Sequence, residues 1–189
     1  MTELSENTQE TVDAAELGPD EARDAWAVAA RTVLVEAAGT YRSVVTHKEL
    51  AAEVQERSGV HTERRTHYWI DEVLAAVSRE CASRDEPLLS SLCVNRDASV
   101  GTSYAALVLE LTGTAPEDAD DHAAKERLAC YRYFEASDLP ADGGTSALVP
   151  QLAATRARLR KAAVAARPVL TCPTCYMELL PTGRCDTCD

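Results

Sequence analysis

Aromatic side chains are scarce in this chain: one Phe, two Trp and six Tyr make up 5% of its 189 residues. So small a supply of rings and other β-favouring bulk disfavours a β-sandwich core. The sequence also lacks any uninterrupted apolar run near the roughly 18 residues needed to cross a bilayer, and it opens without a basic, apolar leader. A soluble, cytoplasmic protein with no membrane partner is expected. There is no Gly-rich phosphate loop, and His47, His61, His67 and His122 form no HExxH or similar spacing. With no nucleophile and base in recognisable arrangement, no enzymatic activity is expected.

What the chain has in quantity is small apolar residues and acid. Apolar residues reach 46%, with alanine a large contributor, which points to a helical core packed through small side chains. The formal net charge of −12 opposes indiscriminate adhesion to nucleic acid or anionic membrane. That charge is divided between two poles. Residues 1–24 hold eight acids against Arg23 alone, whereas residues 155–168 hold Arg156, Arg158, Arg160, Lys161 and Arg167 with no acid.

Residues 1–19 show no periodic apolar positions and are rich in Glu, Thr and Ser, so a disordered acidic tail is expected there. A first helix follows from Pro19, with Trp26, Ala29, Ala30, Val33 and Ala37 at helical spacing and Gly39 at the position of a left-handed C-cap. Thr46 and Glu49 form a capping-box signature for a second helix that turns Leu50, Ala51 and Val54 inward and ends at Ser58-Gly59. The third helix is expected from Glu63 to Ser83, on the spacing of Trp69, Ile70, Val73, Leu74, Val77 and Cys81. Leu88 to Val94 and Thr102 to Leu111, joined by the turn-rich 95–99 segment, read as a β-hairpin.

Helix, short strand, helix, helix and hairpin is the order of a winged helix-turn-helix. Beyond Gly113, Glu117 to Asp121 mark a helix N-terminus, and residues 146–166 form a last Ala- and Arg-rich helix stopped by Pro168. The expected architecture is mainly α with a small β-hairpin. It comprises the tail (1–19), a winged-helix-like domain (20–113), a helical extension (114–168) and a zinc-binding module (169–189).

The sharpest chemical signal lies at the end of the chain, where Cys172, Cys175, Cys185 and Cys188 form two CxxC turns nine residues apart. Zn2+ takes four tetrahedral thiolates, and Leu180-Pro181-Thr182-Gly183 supplies the reversal that brings the turns together. The short loop favours a zinc knuckle or short ribbon. A closed four-thiolate site has no position for substrate, so a structural role is expected. Cys81, Cys93 and Cys130 sit in apolar contexts as reduced core thiols.

The run Arg42 to Ala51, the helix end Val73-Leu74-Ala75-Ala76-Val77, the stretch Pro87 to Val94 and Gly101-Thr102-Ser103-Tyr104 together resemble the winged-helix domain of alkylguanine-DNA alkyltransferases and alkyltransferase-like proteins. The resemblance covers about a third of the chain and implies a DNA-facing winged helix. In that family the acceptor cysteine sits in a Pro-Cys-His-Arg motif. This chain reads Leu92-Cys93-Val94-Asn95, so alkyl transfer is not expected. Lys48, Arg64, Arg65, His67 and Tyr68, with Arg156, Arg158, Arg160 and Lys161 on the basic helix, are the candidate nucleic-acid contacts. The function expected is that of a regulatory DNA-binding protein. The alternative is an adaptor whose winged helix and zinc tip dock a protein.

Overall fold

The computed structural model describes residues 11–166, 171–177, 179 and 183–188. Residues 1–10 of the expected tail, Arg167, the helix stop at Pro168, and Leu180 to Thr182 of the expected reversal lie outside the described residues. The chain divides into two compact units, residues up to Leu152 and residues from Ala153 onward. The described part is mainly helical, with two short two-stranded sheets.

The first unit starts earlier than the sequence suggests. Within the stretch read as tail, β1 (Val12–Asp13) is followed by α1 (Ala14–Leu17), whose N-cap Asp13 accepts the Ala15 N–H at 2.7 Å. Helix α2 (Pro19–Ala38) begins with proline at its first turn, where the missing N–H costs nothing, and buries Trp26, Ala30, Val33, Leu34 and Ala38. It ends at Gly39, whose φ of −69° is right-handed rather than the left-handed cap expected.

After β2 (Val45–Thr46), helix α3 (His47–Ser58) opens on the complete capping box of Thr46 and Glu49 and closes on Gly59 at φ 69°. Its buried residues are the expected Leu50, Ala51 and Val54. β3 (Val60–His61) then pairs in parallel with β1, joining Val12 to Val60 and Asp13 to His61.

The third helix is shorter than its periodicity implies. A 3-10 turn at Thr66–Tyr68 precedes α4 (Ile70–Ser83), and Arg65 is extended at φ −58°, ψ 136°. Local side-chain bonds hold the preceding backbone out of helix: Gln55 accepts the Thr62 N–H at 2.8 Å, and the Thr62 hydroxyl accepts the Arg64 N–H at 3.2 Å. From Ile70 onward the expected face (Ile70, Val73, Leu74, Val77, Cys81) is buried.

The expected β-hairpin is replaced. A 3-10 turn at Leu89–Leu92 leads into β4 (Cys93–Val94), which pairs in parallel with β2 through Val45 with Cys93 and Thr46 with Val94. The intended second strand is helix α5 (Gly101–Thr112). Its apolar residues recur at three- and four-residue intervals, and Tyr104, Leu107 and Val108 share one buried face.

Helix α6 (Ala119–Tyr133) starts where the acidic run suggests: Asp118 caps it, accepting from the N–H groups of Asp120 and Asp121 at 3.0 Å each. The last helix, α7 (Pro150–Ala165), takes Pro150 as its first residue instead of starting at 146. Helix α2 packs against both α3 and α4, and α6 packs on the 89–92 turn. The core they enclose centres on Leu34, Leu50, Val54, Ile70, Val73 and Leu92.

Candidate metal centre

The first CxxC-bearing stretch is folded by its own backbone. The Tyr176 N–H donates to the Cys172 carbonyl at 2.9 Å and the Cys172 N–H to the Met177 carbonyl at 2.8 Å, closing a tight loop around the first pair of thiols. Tyr176, directly after Cys175, sits at φ 58°, a left-handed conformation that L side chains adopt at a cost. Its ring is 80% exposed, so the loop, and not ring packing, holds it there.

The sulfurs of Cys172, Cys175, Cys185 and Cys188 all lie within 4.8 Å of one another, with Cys175 and Cys185 at 3.3 Å. A tetrahedral ion with metal–sulfur bonds near ~2.3 Å sets its ligands about 3.8 Å apart, so this cluster needs no refolding to receive one. Cys172 and Cys185 are buried, Cys175 is half-buried and Cys188 is exposed. Amide N–H groups of Cys175 and Thr174 hold the Cys172 thiol down at about 6, while its hydrogen bond to Cys175 pushes Cys188 up to about 12. The four cysteines could hold one metal ion, and all four had been singled out by spacing.

Comparison with protein-family models, with curated proteins and with solved structures finds no match. The site is therefore read from its own geometry.

The candidate nucleic-acid contacts fall on three elements. Lys48 is exposed in the first turn of α3. Arg64 and Arg65 are exposed in the extended segment ahead of α4 rather than on the helix itself, and His67 and Tyr68 follow on the 3-10 turn with rings 4.1 Å apart. These four thus share one exposed corner. Beside it, the first turn of α4 carries exposed Asp71 and Glu72, which oppose a phosphate. Arg64 and Tyr68 also border a cleft of about 600 Å³ walled by Trp26 and Trp69.

Arg158, Arg160 and Lys161 are exposed on α7, in the second unit, and Arg156 on the same helix is half-buried and already has an interaction. Beyond Leu152 that helix buries no residue through Ala165. Cys93 is 1% exposed in β4, and burial pushes its thiol far above the ordinary range, which makes it a poor nucleophile. His47 and Cys93 line one small cavity, and burial lowers the His47 pKa. Among the described residues no helix is long and apolar enough to cross a membrane.

Proposed function

We propose that this chain is a non-enzymatic DNA-binding protein of a regulatory kind, its C-terminal four-cysteine cluster holding structural Zn2+. The observation that carries the reading is the segregation of charge. Residues 153–168 hold five Arg and Lys and no acid, in a chain whose net charge is −12. An exposed helix so charged repels itself, and a polyanion relieves that repulsion while releasing counterions. Four thiolates at tetrahedral spacing are the set that zinc prefers.

The helices α3 and α4, joined through Gly59, take the helix-turn-helix part in this reading, with Arg64, Arg65, His67 and Tyr68 as a second contact. Asp71 and Glu72 make deep entry of α4 into a groove unfavourable, so the 64–68 corner is assigned to the phosphate backbone. Binding of this kind is mostly sequence-independent.

Fluorescence anisotropy of a labelled duplex, titrated across salt, tests the proposal. Affinity should fall steeply with salt. The Arg158→Ala, Arg160→Ala, Lys161→Ala triple variant should flatten the logarithmic slope by up to about 2.7 if three phosphate contacts are lost. No binding by the full chain at low salt would overturn it.

That result would favour a protein-docking adaptor instead. Asp71 and Glu72 on α4, and the exposed Tyr176 and Met177 of the cysteine loop, support this second reading.

A further inference from the structure

A second candidate site lies in the first unit, away from the features used above. It is a cleft of about 90 Å³ between α6 and the segment from Thr145 to Pro150, with Arg42 and Arg127 both on its wall and no carboxylate lining it. Arg127 is only 3% exposed. Among the described residues it forms no ion pair, and its one hydrogen bond runs from Nη1 to the Ser91 carbonyl at 2.9 Å. A guanidinium has five N–H donors, so most of them are left over.

Those donors are not sealed in. The only enclosed side-chain nitrogen or oxygen without a partner among the described residues is Trp69 Nε1. The unbonded nitrogens of Arg127 therefore touch open space, and the cleft is the space that Arg127 lines. Burial pulls the Arg127 pKa below its ordinary value, and the nearby Tyr131, Tyr104 and Asp120 offset that pull only in part.

The cleft is also firmly built. Arg132 donates from Nε to the Gly143 carbonyl at 2.8 Å and from Nη2 to the Gly144 carbonyl at 3.1 Å. The Tyr41 hydroxyl accepts the Thr145 N–H at 3.0 Å and donates to the Thr145 carbonyl at 3.1 Å. A Cβ on Gly144 would stand 2.8 Å from that hydroxyl, so only glycine lets the segment lie this close. Arg42 is held at φ 66° with its guanidinium carbon 5.3 Å from the Tyr41 ring centre. A strained arginine at a position suited to glycine, beside a second arginine that is buried with most of its donors unbonded and no carboxylate in direct contact, is an arrangement that an anion fits.

We propose that Arg127 and Arg42 form a binding site for a phosphate-sized oxyanion, either free phosphate or the terminal group of a phosphate monoester. The cleft volume equals about three waters at ~30 Å³ each, room for one such group. Arg127 supplies buried donors and Arg42 closes the open side. The proposal stands independently of DNA binding through α7.

The test is NMR observation of the Arg127 Nε–H during titration of the full chain with inorganic phosphate, at ionic strength held constant with chloride. A saturable shift is expected, with affinity weakened tenfold or more in Arg42→Ala, and titration calorimetry, which needs no Arg127 signal, should detect no phosphate binding by Arg127→Met. Should Arg127→Met fail to fold, Arg42→Ala decides, because its side chain is exposed. A parallel titration with adenosine monophosphate separates the sources: saturation there too assigns the site to a phosphate monoester, and saturation by phosphate alone assigns it to the free ion. A shift that does not saturate with either, or that is unchanged in Arg42→Ala, overturns the proposal.

Discussion

The rings of Trp26 and Trp69 lie 4.3 Å apart at a tilt of 33°, yet only one of their two indole N–H groups has a partner. Trp26 Nε1 donates to the Val60 carbonyl at 2.8 Å, while the Trp69 Nε1 is buried with none. Replacing Trp26 by Phe strands a buried carbonyl and should cost about 1–3 kcal/mol beyond the lost ring area. Replacing Trp69 by Phe removes the unsatisfied donor and should cost clearly less. Urea unfolding of the two variants compares them, and a larger loss for Trp69→Phe would contradict the hydrogen-bond assignment.

The cysteine loop makes a different prediction. Tyr176 holds a left-handed backbone that glycine adopts freely, and the penalty for an L residue there is about 1–2 kcal/mol. Tyr176→Gly should therefore retain its metal against a competing chelator several-fold better than the parent chain. Cys185→Ser should lose it, with metal content per chain falling from near one toward zero. A parent chain purified without chelators and devoid of metal would remove the centre altogether.

At the start of α3, the Thr46 backbone N–H and then its hydroxyl donate to Glu49, at 2.8 and 2.7 Å, and hold the Glu49 carboxyl below its usual value. A depressed carboxyl contributes stability above its unfolded pKa and loses it as pH falls through the lower folded value. Glu49→Gln keeps an acceptor but cannot titrate. The parent should be more stable than Glu49→Gln at pH 7, with the gap closing toward pH 3. Urea midpoints at the two pH values measure it, and a gap independent of pH would show that the carboxylate charge plays no part.

How far the sequence foretold this structure differs from element to element. The capping box at Thr46, the buried face of α4 from Ile70 and the acidic start of α6 were legible because each is encoded within a few residues. The cysteine cluster was legible for the same reason. The role of Val12 was not, since it pairs with a strand 48 positions away, and no local pattern records that partner. Cys93 and Val94 were read as one arm of a hairpin, but the ladder they join lies upstream at Val45 and Thr46. Arg127 gave no signal at all: a charged residue in a polar helix reads as solvent-facing until its neighbours on other elements are known.

The two short ladders have a consequence for how the chain is born. One links residue 12 to 60 and the other 45 to 93, so the two loops overlap and each contains an anchor of the other. Local contacts cannot close either ladder early, and such non-local pairing slows folding. A nascent chain that has not yet emerged beyond Val94 holds Val45 and Thr46 as an open strand edge. The first unit, which runs to Leu152, cannot settle until the chain is released well past that ladder, and until then its apolar surface and strand edge are open to aggregation.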